Sequence, residues 1–492
     1  MPVNIWNSLK EIASIVERAA PNRSQVLNRN ASPKLDYVQL YKLLLDPSIT
    51  SEAEAARKLG RSISDPSYKM LRTSLKKILL NTLFVLDYDE TEISKYAAAS
   101  HQSNKDVFLL QTLVASGARH AARSMAPGML ATAHSYQLFS NEMAIIAFMR
   151  RDAAMIGDER TQRRLSLAYE RAASSLLIEQ RAASFLEEIL SAFAASGSEK
   201  PGLKKKAEDY SKEVEKSASR LKTFHLRLHA YRLRAVSHQV GLDFEAALRV
   251  ATAAQKFAES QTLFKSPLLI AEFAAKRIVC LLHLGRIDEG LTLIKGLLPK
   301  LRETTSNWLL LMDFKFLFEM QGLRFAEAKE TYNRVQESDA FSTQPPFQNQ
   351  KWDVYGLYLN YALGSLTKSE NLQDLLEYIP AYAKDKAGYN VAVIILHIMR
   401  LIVDEEYEQV TARVDALRMY AKRNLNDRGA ERESLFLKLL MVMEGCSFDR
   451  AKIEKRAAKY LERLNNLPGS NASGPQILPY PYLWNRIIES LK

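Results

Sequence analysis

Between Phe244 and Ala451 the chain repeats one short pattern six times: a polar or glycine-containing turn, a large apolar residue, and a small or aliphatic residue three positions later. The pairs are Phe244 and Ala247, Ile287 and Gly290, Phe325 and Ala328, Leu372 and Leu375, Tyr407 and Val410, and Phe448 and Ala451. Their first members lie 43, 38, 47, 35 and 41 residues apart. Such spacing belongs to a helix-turn-helix unit that cannot bury its apolar face alone and stacks on copies of itself. The pattern predicts an all-α chain, an α-solenoid of antiparallel helix pairs with a period of about 41, preceded by a small helical N-terminal segment.

The rest of the sequence agrees with that class. Only 18 glycines and 16 prolines occur in 492 residues, too few to punctuate the many turns of an all-β fold. Apolar residues recur at steps of three and four, and no long stretch alternates as a half-buried strand does. Two cysteines, Cys280 and Cys446, supply neither a disulfide framework nor a CxxC metal knuckle, and a reducing cytoplasmic setting is expected. The N-terminal stretch reads as an amphipathic helix with Ile5, Leu9, Ile12 and Val16 on one face. The longest apolar run, Val391 to Ile398, is far short of the roughly 20 residues of a membrane helix.

No P-loop, nucleophile elbow or dinucleotide-binding glycine fingerprint is present, so the expectation is a non-enzymatic chain with no cofactor. His225 and His229 stand at i and i+4, a spacing that can put two imidazoles on one metal. Without a third ligand, and with Arg227, Arg232 and Arg234 nearby, they read as solvated or partly buried histidines, and no metal site is expected. The acidic run Asp87 to Glu92 has no glycine turn and reads as a loop between helices.

Four stretches follow along the chain. Residues 1–100 carry three helices, Leu35 to Leu45, Ser51 to Leu59 capped by Thr50 or Ser51, and Pro66 to Leu86. Residues 104–195 form an alanine-rich region with helices Asn104 to Arg123, Met129 to Arg151 and Glu159 to Ala195, a turn at Ala126-Pro127-Gly128 and a break at Gly157-Asp158. The segment Ser196 to Lys206 has the glycine, proline and lysines of a hinge. Residues 207–465 hold the repeats, entered by one long helix running from Tyr210 to His238. Residues 466–492 are a Pro-, Gly- and Ser-rich linker and an amphipathic helix, with Tyr482, Trp484, Ile487 and Leu491 as candidate docking residues for a partner or for the last repeat. The loop Ser338 to Trp352, with Pro345-Pro346, reads as a gap seal or a decorated surface.

The stretch LLHLGRIDEGLTLIKGLLP, Leu281 to Pro299, resembles the second helix of a tetratricopeptide repeat, as do GLDFEAALRVATAAQKFA and GLRFAEAKETYNRV. The resemblance, over about residues 215–465, implies a helical-repeat scaffold whose groove holds a protein or peptide partner. Ile278, Phe316, Leu363, Ile398 and Leu439 stand where the family has a small residue, so the chain reads as a degenerate relative and no peptide-clamp residue is carried over.

Residues 35–86 resemble a helix-turn-helix, with SEAEAARKLG as its middle helix and Lys69, Arg72, Lys76 and Lys77 on its last. That resemblance implies the alternative function, a nucleic-acid-binding regulator with sensor repeats. The charge distribution gives it a second support: the net charge of +12 is concentrated in residues 57–77 and 200–234. A protein or peptide is the expected partner, nucleic acid the alternative through those basic windows; no membrane or small-molecule ligand is indicated.

Overall fold

The computed structural model describes residues 5–19, 36–85, 94–196, 202–342, 346–365, 389–414, 431–467 and 476–491, and among them secondary structure is helical throughout. The chain divides into two compact units, one made of Met1–Leu176 and Gln261–Pro267, the other of Leu177–Ser260 and Leu268–Lys492.

In the first unit, helices Ile5–Ala19, Asp36–Leu45, Glu52–Lys58 and Pro66–Val85 enclose a core of Trp6, Leu9, Leu40, Ile49, Tyr68, Leu75 and Leu79. Ser51 caps the short helix by accepting from the Glu54 amide, and the Glu54 carboxylate accepts from the Thr50 amide, which satisfies two donors that a helix start leaves orphaned. The alanine-rich region departs from its sequence reading. Helices run Lys95–Ala115, Arg119–Ser135, Phe139–Met155 and Glu159–Ser196, and Pro127 lies inside the second of them. An interior proline loses a backbone hydrogen bond at a cost of about 3 kcal/mol. Burial of Ala122, Ala126, Met129 and Ala133 on one face of that helix opposes the loss, so the Ala126-Pro127-Gly128 turn does not form.

The turns that do form share one geometry. At residues 117, 137 and 157 the backbone is left-handed, and the following amide bonds back to the carbonyl five residues earlier: Ala118 to Leu113, Leu138 to Ala133 and Asp158 to Ala153. This is the closure by which a left-handed residue satisfies the last carbonyls of a helix. The second unit repeats it at 242, 285, 323, 364, 405 and 447, with Asp243 to His238, Arg286 to Leu281, Arg324 to Glu319, Ser365 to Asn360, Glu406 to Leu401 and Phe448 to Met443. In the second unit the turns at 242, 285, 323, 405 and 447 each lie between two described helices, and the residues after 365 lie outside the described set.

First helices of the second unit include Phe224–Val240, Pro267–His283, Ser306–Gln321, Pro346–Ala362, Tyr389–Val403 and Glu431–Glu444; second helices include Phe244–Ser260, Ile287–Leu297, Phe325–Gln336, residues 407–414 and Arg450–Asn466. Phe244, Ile287, Phe325 and Tyr407 each open a second helix, half-buried, and Ala247, Gly290, Ala328 and Val410 are buried one turn on. Two pairs differ. Gly364 sets the turn of the fourth unit eight residues before Leu372, and Leu372 and Leu375 lie outside the described residues. Phe448 is itself left-handed and its helix starts at Arg450, so Ala451 is exposed and Ile453 and Ala457 take the buried positions. At the sites expected to be small, Ile278, Phe316, Ile398 and Leu439 are fully buried, whereas Leu363 is exposed beyond its helix end.

The long helix expected from Tyr210 to His238 is two, Leu203–Leu221 and Phe224–Val240, packed on one another. Lys222 is left-handed and the Thr223 hydroxyl accepts from the Leu226 amide, a stop and a start in adjacent residues. Apolar steps of three and four continue across the break because both helices bury a stripe. The hinge expected at 196–206 has residues 197–201 outside the described set, and its flanks pack together: Ile189 with Leu203, and Phe185 stacked on Tyr210 at 3.8 Å. The division between units falls instead within helix Glu159–Ser196. The acidic run 87–92 lies outside the described residues, as do residues 343–345 of the 338–352 loop, whose Trp352 is buried.

Candidate functional site

The C-terminal segment is where the second unit places most of its sequence-predicted site residues. An isolated 11-residue helix is not stable in water, so Tyr480–Ser490 forms only by finding an apolar surface. Leu483, Trp484, Ile487, Ile488 and Leu491 are buried and Tyr482 is half-buried. The helix packs on Tyr389–Val403 and Arg450–Asn466. At its start the Tyr480 ring stacks on Phe436 at 4.5 Å, and burial, with Glu433 adding to it, holds the Tyr480 hydroxyl well above its ordinary pKa. Upstream, the Gln321 side-chain amide donates to the Gln476 carbonyl at 2.6 Å.

One contact breaks an otherwise regular pattern. The residue opening a second helix usually meets the C-terminal end of the next first helix: Phe244 stacks on His283 at 4.0 Å, and the Tyr407 ring lies 4.5 Å from Phe448. Ile287 lies so close to Gly322 that a Cβ there would come within 2.9 Å of its Cγ2. Phe325 meets Tyr482 of the terminal helix, 5.5 Å between rings. The segment 476–491 therefore touches elements from Gln321 to the helix Arg450–Asn466. Chemically this surface takes an amphipathic helix; it presents aromatic and aliphatic side chains rather than an acid-base pair.

In the first unit, Lys69, Lys76 and Lys77 are exposed on helix Pro66–Val85. Arg72 is not part of that face. Its guanidinium donates to the Glu52 carboxylate at 2.6 Å and is half-buried, so the predicted ridge of Lys69, Arg72 and Lys76 loses its middle member. Arg61 is likewise ion-paired with Asp36. The same helix exposes Met70, Leu80 and Phe84, with Phe84 6.0 Å from Phe108. The other basic window lies in the second unit and several of its charges are matched: Arg232 with Glu272, Lys206 with Glu188, and Arg227 over the Phe257 ring.

Sequence reasoning missed a cavity of about 540 Å³ beside Trp308, lined also by Lys295, Glu303, Lys315, Glu319 and Arg334. Glu319 is 3% exposed and accepts from Lys315 Nζ at 2.5 Å and from the Thr331 hydroxyl at 2.7 Å. Burial raises its pKa against the pull of those two donors. Its spacing from Lys315 was legible as a helical i, i+4 pair, but the wall supplied by the next helix was not.

His225 and His229 are half-buried, and burial lowers the pKa of each to about 4. Among the described residues no three histidine, cysteine or acidic side chains are grouped to hold a metal, and no helix is long and apolar enough to cross a membrane. Comparison with protein-family models, curated proteins and solved structures returned no match.

Proposed function

We propose that residues 207–465 form a tetratricopeptide-like α-solenoid that works as a non-enzymatic, cytoplasmic scaffold for protein partners, and that its groove accepts an amphipathic helix. The recurrent left-handed turn at 242, 285, 323, 364, 405 and 447 supports the stacking of like helix pairs. One observation carries the function: the terminal helix lies with Leu483, Trp484 and Ile487 buried against helices from several units. A groove that takes its own chain's helix has the chemistry to take another bearing apolar residues at i, i+3, i+4 and i+7. The test uses Trp484→Ala to loosen the resident helix. A fluorescein-labelled peptide of residues 476–492 should then bind the variant in trans and leave the wild-type chain unbound, as read by anisotropy. No binding to either would remove the reading.

The exposure of Lys69, Lys76 and Lys77 on one helix supports a second reading, a regulator that contacts nucleic-acid phosphates. It expects a complex in a low-salt gel shift that weakens steeply with salt, with Lys69, Lys76 and Lys77 all changed to Ala lowering that slope. Absence of a complex with the wild-type chain at micromolar protein eliminates it.

A further inference from the structure

Helix Ile287–Leu297 has 11 residues and its neighbour Ser306–Gln321 has 16. The two pack antiparallel, with Gly290 against the Phe318 ring and Ile287 against Gly322, so the shorter helix stops about 7 Å before the longer one. Pro299 has no backbone N–H with which to extend the α-helix, and the chain leaves through the 3-10 turn Leu298–Lys300. The cavity of about 540 Å³ beside Trp308 lies along this step, and its size falls within the roughly 300–1,000 Å³ of small-molecule sites. All of its lining belongs to the second unit.

Leu291, Leu298, Pro299 and Leu301 give the cavity aliphatic walls, and the buried Trp308 carries the Arg334 guanidinium over its ring at 5.6 Å. Both acids of the lining are engaged. Glu303 pairs with Arg334, and Glu319 accepts from Lys315 Nζ at 2.5 Å and from the Thr331 hydroxyl at 2.7 Å, while that hydroxyl accepts from Lys315 at 2.5 Å. Lys315 and Arg334 are thereby committed to protein partners. Lys295 is the remaining cation of the lining: it is exposed, stands one turn beyond Leu291 on the same helix, and has no ion pair among the described residues. Aliphatic walls, engaged acids and one available cation are complementary to an anion carried on an aliphatic body.

We propose that this cavity binds a small aliphatic carboxylate, its chain lying against Leu291, Leu298 and Leu301 and its carboxylate paired with Lys295. Each methylene buried there contributes about fourfold in affinity, so the chain supplies the binding and Lys295 selects the sign of the charge. A cationic ligand would meet Lys295, Lys315 and Arg334 and find both carboxylates already engaged. No sequence motif announces such a site, because its walls come from three helices and the turn between two of them. The inference goes beyond the helix-binding reading and does not rest on it, since no residue of the terminal segment lines the cavity.

The full-length chain is titrated with decanoate and, separately, with decanol by calorimetry at low salt. Decanoate should saturate a single site per chain. Lys295→Met should weaken decanoate about three- to fivefold and leave decanol unchanged, because only the carboxylate senses the ammonium. Glu303→Gln releases Arg334 and should tighten decanoate by a similar factor. Lys295 and Glu303 are both exposed, so both variants should melt with the wild-type chain and report on binding alone. A decanoate bearing a diazirine at the end of its chain should label residues between Leu291 and Trp308 on irradiation. The proposal is overturned by an absence of saturable decanoate binding, by labelling confined to other segments, by a decanoate affinity that Lys295→Met lowers no more than it lowers that of decanol, or by weaker binding in Glu303→Gln.

Discussion

At the scale of single residues, the fold rests on backbone conformations that side chains tolerate unequally. Leu323 is left-handed and 46% exposed, so it carries conformational strain with little burial in return. The left-handed region costs an L-residue about 1–2 kcal/mol, and glycine gives back about 0.5–1 kcal/mol through its freer unfolded state. Leu323→Gly should therefore stabilise by about 0.5–1 kcal/mol in denaturant melts. Two glycines of helix Ile287–Leu297 should behave oppositely. A Cβ on Gly290 would lie 2.2 Å from the buried Phe318 ring, so Gly290→Ala should cost about 1–3 kcal/mol. Gly296 faces open space, and Gly296→Ala should gain about 0.5–1 kcal/mol from helix propensity. Denaturant midpoints of the two variants give the comparison.

Histidines set the acid limit. Burial holds His225, His229 and His283 near a pKa of about 4, against about 6.5 when unfolded. Between those values the unfolded chain binds more protons than the folded one, so lowering the pH favours unfolding. Stability should be flat above pH 6.5 with respect to these groups and should fall from about pH 6.5 to about pH 4, by up to about 1.4 kcal/mol per unit for each histidine. Replacing His283 by Gln should flatten that slope in urea melts run across the range.

At the scale of elements, the terminal helix exists only through its contacts. Trp484 is 2% exposed in the core of the second unit, and Trp484→Ala should destabilise by about 3–5 kcal/mol. Deleting residues 476–492 should lower the melting temperature of the chain and promote aggregation, because the faces around Phe436, Ile398 and Leu464 lose their cover. An unchanged melting curve after that deletion would show that the helix is not part of the core.

At the scale of the whole molecule, the N-terminal helices have a core of their own, from Trp6 to Leu79. Residues 1–93 expressed alone should fold, giving a cooperative helical melt by circular dichroism, and should show which properties of Lys69, Lys76 and Lys77 belong to that bundle. A non-cooperative melt would mean that the bundle draws its stability from the chain beyond it.

Sequence alone determined the helical class and the starts of several helices, because a helix needs an apolar residue every third or fourth position and a stop between helices, and both are local. Phe244, Ile287, Phe325 and Tyr407 were found that way. Local signals failed where two of them competed: Pro127 looked like a break and is overruled by the buried alanine face around it, while Lys222 and Thr223 end and begin helices inside an unbroken apolar rhythm. Only the tertiary structure decided which charges are available. Arg72 is taken by Glu52 and Arg232 by Glu272, partners 20 and 40 residues away, while Lys69, Lys76 and Lys77 stay exposed. It likewise decided where the terminal helix rests, since its apolar stripe states that it must be covered, and the helices that cover it are brought together only by the packing of the chain.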